Sequence, residues 1–188
     1  MTRVIVLVKD FDTAKQRLSP VLDPASRRRL AIANAERAIR AGAEVGPVLV
    51  VAGSEEAAAL GRRLGVEVLL EAEPGGQNPA AAAGIARALQ EGAEQVLVVS
   101  SDLPLVTGAA LGLLPASADG PGPIAVAAAA TGRGGTNALF LRPPDAIGLH
   151  FGDRSLAKFQ ADAASRRVPF VVVDDDQLAL DLDEPGDL

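Results

Sequence analysis

Three cationic side chains follow the first apolar run of the sequence. Lys9, Lys15 and Arg17 lie within nine positions, directly after residues 4–8, and no helical apolar stripe accounts for them. Lysine supplies a compact positive charge and arginine a planar fork of donors, so this cluster could bind a polyphosphate. The same spacing fits a basic, solvated loop equally well. Neither the Gly-x-Gly-x-x-Gly fingerprint nor the Gly-Lys-Ser/Thr signature occurs there, which argues against a dinucleotide oxidoreductase or a P-loop NTPase.

Carboxylates stand at two further places where they could bind a hard metal ion. Asp102 follows the apolar run 96–100 and precedes a Leu-Pro pair, a position that suits a Mg²⁺ ligand. An aspartate there is also typical of a turn or a helix N-cap, and the residue alone favours that interpretation. Asp181 and Asp183 are two apart in an extended stretch, so they face one side and repel each other unless a cation offsets their charge. Residues 174–176 are more typical of a solvated turn.

Short polar side chains beside glycines indicate two places that could cradle an anion. Two adjacent glycines precede Thr136 and Asn137, which brings exposed backbone amides close to hydroxyl and amide donors. A Gly-Gly hairpin turn is the alternative interpretation. Gly152 and Ser155 lead into a predicted helix, where Ser155 could serve as N-cap or could bind phosphate or carboxylate together with the first amides. These two roles of Ser155 are compatible.

Composition removes several other classes of chemistry. The 188 residues contain 18 Lys and Arg against 24 Asp and Glu, a net charge of −6, so we expect no nucleic-acid partner and no membrane surface as partner. There is no cysteine, and His150 is the only histidine, which excludes thiolate and multi-histidine metal sites. No apolar run is long enough for a signal peptide or a membrane span, so we expect a cytoplasmic protein. The remaining chemistry belongs to carboxylates, cations, hydroxyls, backbone amides and a hard metal ion.

Short β-branched runs alternate with longer helical stretches along the chain. Strands are expected at residues 4–8, 48–52, 66–70, 96–100, 124–128, 138–141 and 170–173. Helices are expected at residues 24–41 with Asp23 as N-cap and Gly42 at the end, from Ser54 to Gly65, at 79–90 before Gly92, and at 155–166. This alternation predicts an α/β fold, a three-layer α/β/α sandwich with a mainly parallel, Rossmann-like sheet. Ligands of such sheets bind at the carboxyl ends of the strands.

The motifs, taken in order, resemble one family over nearly the whole chain. They are Lys9…Ala14-Lys15-x-Arg17-Leu18, Gly76-x-Asn78, Asp102-Leu103-Pro104-Leu105, Gly134-Gly135-Thr136-Asn137-Ala138-Leu139, Phe151-Gly152-x-x-Ser155 and Leu180-Asp181-x-Asp183-x-Pro185-x-Asp187-Leu188. This order is similar to that of the CofC/FbiD guanylyltransferases of coenzyme F-420 biosynthesis, whose wider relatives are nucleotidyltransferases of the nucleotide-diphosphosugar transferase type. The resemblance implies that residues 1–188 form a single nucleotidyltransferase domain.

The resemblance also implies a reaction and its site. GTP and a small phospho-acid, either phosphoenolpyruvate or 2-phospho-L-lactate, would give a guanylyl-diphospho acid and pyrophosphate. By position, Thr136, Gly152 and Ser155 would hold the phospho-acid, Asp102, Asp181 and Asp183 would hold Mg²⁺, Lys9, Lys15 and Arg17 would meet the triphosphate, and Gly76 and Asn78 would line the nucleotide pocket. Lys15, Arg17 and Asp102 would be the catalytic residues.

Two other interpretations stay open. The protein could be a related nucleotidyltransferase acting on molybdopterin or a sugar phosphate, or a non-catalytic nucleotide-binding domain that kept the fold. The residues do not specify an oligomeric state, and a homodimer is compatible with them.

Overall fold

Seven β-strands form the central sheet of the protein, a computed structural model that describes residues 1–132 and 134–187. The strands are β1 (Arg3–Val8), β2 (Val48–Ala52), β3 (Glu67–Leu70), β4 (Val96–Ser100), β5 (Ile124–Ala129), β6 (Thr136–Arg142) and β7 (Phe170–Val173). Their order across the sheet is β3-β2-β1-β4-β6-β5-β7. Every pairing is parallel except those of β6, which runs antiparallel to both of its neighbours. The predicted mainly parallel sheet is confirmed.

Six α-helices occur in the described residues. They are α1 (Pro24–Val45), α2 (Glu55–Arg63), α3 (Gln77–Gln90), α4 (Gly108–Ala116), α5 (Ser155–Arg166) and α6 (Asp176–Ala179). None of them, within residues 1–132 and 134–187, is long and apolar enough to cross a bilayer. The Asp23 and Ser54 side chains cap α1 and α2 as the sequence predicted, since each accepts a hydrogen bond from a backbone amide of the first turn.

Two helical predictions need correction. Helix α1 does not end at Gly42 but continues to Val45. The glycine at position 42 is explained by close packing, since a Cβ there would lie 3.0 Å from Cγ1 of Val4 in β1. Residues 174–176 are not only a solvated turn, since α6 begins at Asp176. Asp175 caps this short helix by accepting a hydrogen bond from the amide of Gln177.

Both faces of the sheet are covered, which produces two separate cores. Val4 and Val6 of β1 face a core shared with α1, α2 and α4, whereas Ile5 and Leu7 face a core shared with α3 and α5. Strands buried on both faces must be apolar at every position, which explains the continuous runs of Val, Leu and Ile. The predicted three-layer α/β/α sandwich is confirmed.

The reversed direction of β6 places its first residues at the edge of the sheet where the other strands have their carboxyl ends. Ligands of such sheets bind at this edge, which is therefore the functional edge. Val99, near the carboxyl end of β4, pairs with Ala138, near the amino end of β6. Thr136 and Asn137 therefore lie at the same edge as the loops that follow β1 and β4. A parallel strand in this position would have carried them to the opposite edge.

Asp162 of α5 holds the chain that leads to this edge. Its carboxylate accepts hydrogen bonds from the Gly148 amide at 2.5 Å and from Arg166 Nε at 2.8 Å, and lies 3.0 Å from His150 Nε2. Burial acts to raise the pKa of Asp162, but the hydrogen bonds from His150, Arg166 and the Gly148 amide outweigh it and lower the pKa to about 2. The folded protein thus favours the ionised carboxylate.

This lowered pKa predicts a specific loss of stability in acid. The ordinary pKa of 3.8 exceeds the folded value of about 2, so the unfolded chain binds the proton first and the stabilisation disappears as the pH falls through this window. In Asp162→Asn that component is absent, and the free energy of unfolding should depend less steeply on pH between those two values. Urea unfolding at a series of pH values measures this, with exposed Asp153→Asn as control. Equal slopes in wild type and Asp162→Asn would contradict the assignment.

Candidate active site

A buried lysine joins three distant parts of the chain at the functional edge. Lys15 lies in the loop after β1, and only 1% of its side chain is exposed. Its Nζ lies 2.7 Å from Oδ1 of Asp102, in the loop after β4, and donates a hydrogen bond to the carbonyl oxygen of Leu182 at 2.5 Å. The Leu182 amide in turn donates to the carbonyl oxygen of Asp102 at 3.2 Å. The C-terminal segment is thereby fixed against the end of the central strands.

The backbone at Lys15 is adapted to this position. Lys15 adopts a left-handed conformation with φ of +61°, which costs a residue with a Cβ roughly 1 kcal/mol. The chain then enters a short 3₁₀ helix, Gln16–Leu18, whose Leu18 is fully buried. The left-handed backbone at Lys15 accompanies the placement of its ammonium beside Asp102. The buried side chain of Leu18 then anchors the chain three residues later.

A polar cavity of about 270 Å³ lies beside this ion pair. The predicted site residues that line it are Lys9, Arg17, Asp102, Thr136, Gly152, Ser155, Asp181 and Asp183. They come from the loop after β1, the loop after β4, the start of β6, the start of α5 and the C-terminal segment. Stretches that are far apart in sequence therefore meet around one space.

Two carboxylates of this cavity, Asp102 and Asp183, pair with cations of the chain itself. Arg17 Nη1 lies 3.0 Å from Oδ2 of Asp183 and 3.6 Å from Oε1 of Glu184, and Lys15 offsets Asp102. Within residues 1–132 and 134–187, no group of three or more His, Asp or Glu side chains is arranged to hold a metal ion. The donor chemistry nevertheless fits a hard cation, since Asp102, Asp181 and Asp183 all line the cavity and carboxylate oxygens are the ligands that Mg²⁺ prefers.

Two buried hydroxyl groups in this cavity lack a protein partner. Oγ1 of Thr136 and Oγ of Ser155 are buried and make no hydrogen bond with the described residues. A buried polar group without a partner is costly, so such groups commonly indicate a bound water or ligand. The alternative role of Ser155 as N-cap is wrong, because α5 begins at Ser155 itself and no side chain caps it. The hydroxyl is thus available to a ligand.

The loop between β5 and β6 packs against the start of α5. These strands are antiparallel neighbours and so form a hairpin, but Gly134 and Gly135 come at the end of its loop, directly before β6, and the Gly135 carbonyl oxygen accepts a hydrogen bond from the Ala130 amide. Gly134 adopts a positive φ of +61°, and its carbonyl oxygen accepts a hydrogen bond from the Leu156 amide at 3.0 Å. The side chain of Asn137 donates to the carbonyl oxygens of Leu178 and Ala179 and so holds α6. Ala130, Gly135, Thr136 and Asn137 of this hairpin line the polar cavity.

A second, more apolar cavity of about 210 Å³ adjoins the first. It lies over the ends of β1 to β4 and the start of α3. Its lining includes Leu7, Val8, Val51, Gly53, Glu71, Pro74, Gly76 and Ala80. Lys9, Gln77, Ser100 and Asp102 line both cavities. The two spaces thus meet at a polar junction.

Comparison with known proteins identifies the family. Residues 2–188 match the family model described as guanylyl transferase, CofC like. The chain belongs to the CofC-like guanylyl transferase family. It is therefore a nucleotidyltransferase by family, which confirms the predicted enzyme class.

Individual relatives agree with this assignment. The phosphoenolpyruvate guanylyltransferase of Rubrobacter xylanophilus is 40% identical over 186 residues, which span 98% of this chain and 90% of that protein. The 2-phospho-L-lactate guanylyltransferase of Methanothermobacter thermautotrophicus is 33% identical over 188 residues, 100% of this chain and 82% of that protein. A solved structure from Desulfovibrio desulfuricans G20, proposed to be a nucleotide-diphospho-sugar transferase, superposes with a TM-score of 0.77 at 16% identity and covers 98% of this chain and 84% of that one. The last likeness concerns the fold alone.

Two residues of this CofC-like chain that were predicted to bind the nucleotide do not line either cavity. Lys15 lines neither cavity, since its ammonium is buried against Asp102 and Leu182. The contact of Lys15 with a triphosphate stays untested, and it would require the ammonium to leave both partners, so the buried ion pair favours the alternative that Lys15 holds Asp102 in place. Asn78 also lines neither cavity, and its side chain is bound to the backbone of Phe151.

Sequence reasoning did not assign several of the residues that line the cavities, among them Gln77, Ser100 and Glu71. Gln77 and Ser100 border both spaces, and Glu71 borders the apolar one. Glu71 directly follows β3 and Ser100 ends β4, so their place at strand ends was the available signal. Gln77 has no such signal, because the start of α3 was predicted two residues later.

The buried ion pair predicts that Lys15→Met lowers the free energy of unfolding much more than Arg17→Met does. Lys15→Met leaves the Asp102 carboxylate and the Leu182 carbonyl without their partner and should lower the free energy of unfolding by about 3 kcal/mol. Arg17→Met breaks a pair whose arginine is 66% exposed, so its loss should stay below about 1 kcal/mol. Urea unfolding of both variants measures this. Equal losses would contradict the role assigned to Lys15.

Proposed function

We propose that this protein transfers GMP from GTP to a small phosphorylated carboxylic acid, phosphoenolpyruvate or 2-phospho-L-lactate, in coenzyme F-420 biosynthesis. The observation that carries the proposal is the pair of adjoining cavities that share Lys9, Gln77, Ser100 and Asp102. A transferase with two substrates needs two subsites that meet at the reacting atoms. Guanylyltransferases acting on these two acids are the relatives named above.

Each cavity suits one substrate. The apolar cavity between Gly53 and Gly76 offers the surface that a nucleotide base requires. The polar cavity offers the unpartnered hydroxyls of Thr136 and Ser155, together with Arg17, which suit phosphate and carboxylate oxygens. The phospho-acid is therefore assigned to the polar cavity and the nucleoside to the apolar one.

The proposed transfer needs no covalent intermediate. A phosphate oxygen of the acid attacks the α-phosphorus of GTP, a new P–O bond forms, and the bond from that phosphorus to pyrophosphate breaks, with the electron pair leaving on pyrophosphate. Because a phosphate monoester is already an anion at neutral pH, no general base is required. Lys9 and Arg17 offset the negative charge of both substrates, and holding them in line lowers the barrier. Positioning and charge thus supply the catalysis.

We also propose that Mg²⁺ is held by Asp102, Asp181 and Asp183. When bound, it would offset the charge of the triphosphate and help to orient it. Lys15 and Arg17 pair with two of these carboxylates, so a bound Mg²⁺ would have to share these carboxylates with the two cations or displace them. Lys15 keeps the Asp102 side chain turned toward the junction of the cavities.

Measurement of pyrophosphate release tests the reaction. The protein is incubated with GTP, Mg²⁺ and, separately, phosphoenolpyruvate, 2-phospho-L-lactate and 3-phospho-D-glycerate. We expect release with at least one of the first two acids. In Thr136→Val and Ser155→Ala the KM for that acid should rise, since each variant removes one hydroxyl donor.

The same assay has outcomes that contradict the proposal. Release with 3-phospho-D-glycerate alone, or, in added reactions, with molybdopterin or a sugar phosphate alone, would favour another nucleotidyltransferase, and binding of GTP without release on any acceptor would favour a non-catalytic domain. A rise in the KM for GTP alone in the two variants would reverse the assignment of the cavities.

Glu71 supports guanine as the base. The N1–H and the 2-amino group of guanine both donate hydrogen bonds, and one carboxylate can accept both, whereas adenine has neither donor at these atoms. Glu71 lines the apolar cavity at the end of β3. We therefore assign the reading of guanine to this carboxylate.

This assignment predicts an order among nucleotides. Wild type should use GTP better than ITP, which lacks the 2-amino group, and ITP better than ATP. Glu71→Gln should lower kcat/KM for GTP by roughly 10- to 100-fold, the range for hydrogen bonds to a charged group, and should narrow the ratio of GTP to ITP. Glu73→Gln, in the same loop but outside the cavity lining, is the control. An unchanged GTP-to-ITP ratio in Glu71→Gln would overturn the assignment.

A further inference from the structure

The side chain of Asn78 is bound at both ends of its amide to one distant residue. Its Nδ2 donates to the carbonyl oxygen of Phe151 at 3.0 Å, and its Oδ1 accepts from the Phe151 amide at 2.8 Å. The two residues are 73 positions apart. Asn78 thus holds both polar groups of the Phe151 backbone.

The same residue is anchored through its ring. The Phe151 side chain is buried, and its ring meets the ring of Phe159 edge-on at 5.2 Å between centroids. The chain then turns at Gly152, which has a φ of +120°, and reaches the buried Ser155 hydroxyl three residues later. Any shift of the Phe151 backbone would therefore move Gly152 and Ser155, which line the polar cavity.

Asn78 belongs to the helix turn that borders the apolar cavity, to which the nucleoside is assigned. It lies in the first turn of α3, directly after Gly76 and Gln77. Gly76 lines the apolar cavity, and Gln77 lines both cavities. One turn of helix therefore borders the nucleotide cavity and also holds the loop that forms the phospho-acid cavity.

We infer that Asn78 is a positioning residue that sets the spacing between the two substrates by clamping the Phe151 backbone against the first turn of α3. This inference rests on the proposed function, and it replaces the interpretation of Asn78 as a lining residue of the nucleotide pocket. Asn78 touches neither substrate and acts through Gly152 and Ser155.

Two variants remove the clamp without replacing any residue that lines a cavity. Asn78→Leu is close in size and lacks both polar atoms, and Asn78→Ala covers the case in which leucine does not fit. In each, the KM for the phospho-acid should rise and kcat should fall, each by about tenfold or more, since small misplacements of reacting groups are costly. The KM for GTP should stay within about twofold, because the apolar cavity is unchanged.

Gln95→Leu is the matched control. The Gln95 side chain donates one hydrogen bond to Oγ1 of Thr2 at 2.8 Å, directly before β4 and at the opposite edge of the sheet. Loss of this hydrogen bond should lower the midpoint temperature of thermal unfolding without changing the KM for the phospho-acid or the KM for GTP. If Asn78 were only structural, the Asn78 variants would behave in the same way, and that result would overturn the inference. A rise in the KM for GTP alone would also overturn it, because Asn78 would then be a nucleotide ligand.

Hydrogen exchange tests the clamp without the reaction. The amides of residues 151–156 should exchange faster in both Asn78 variants than in wild type, whereas the amides of α2 should not change. Unchanged exchange at 151–156 would overturn the inference even in an active enzyme. If wild type releases no pyrophosphate with any acid, the proposed function fails, and the exchange result alone then decides whether Asn78 holds this loop.

Discussion

A buried ammonium group has to be satisfied, and this requirement organises the functional edge of the protein. Lys15 meets it with the carboxylate of Asp102 and the carbonyl oxygen of Leu182, because an unpaired charge in the interior would cost several kcal/mol. The loop after β1, the loop after β4 and the C-terminal segment are thereby held together. Asp181 and Asp183 flank Leu182 in sequence, so the same contact delivers both of them to the polar cavity.

The reversal of β6 is the second constraint. Six of the seven strands run in one direction, the arrangement that a parallel α/β sheet favours for ligands at the carboxyl ends of its strands, yet Thr136 stands at the amino end of β6. It reaches the same edge because β6 is antiparallel to β4. The hydroxyls of Thr136 and Ser155 then remain buried without a hydrogen-bond partner among residues 1–132 and 134–187, which is an arrangement that a bound anion can stabilise.

The sequence predicted the strands well because a strand buried on both faces has a continuous apolar run. It failed where distant packing decides. Gly42 is a typical helix terminator, and only the closeness of Val4 shows that it lies inside α1. Helix α4 was missed because it has no polar stripe that would reveal a helical period. Its own residues Leu111 and Leu114 are buried. The three cations and Asp102 were found from their places after strands, and Asp181 and Asp183 from their spacing in an extended stretch. The Leu182 carbonyl that binds Lys15 lies 167 residues away, and the Phe151 backbone that binds Asn78 lies 73 residues away, beyond any local pattern.

A crystal structure with phosphoenolpyruvate and a GTP analogue that cannot release pyrophosphate tests the central claim most directly. The account predicts the guanine between Gly53 and Glu71, the phosphate of the acid within hydrogen-bonding distance of Thr136 and Ser155, and Lys15 still bound to Asp102. An acid seated outside the polar cavity, or a Lys15 ammonium that leaves Asp102 for the triphosphate, would contradict it.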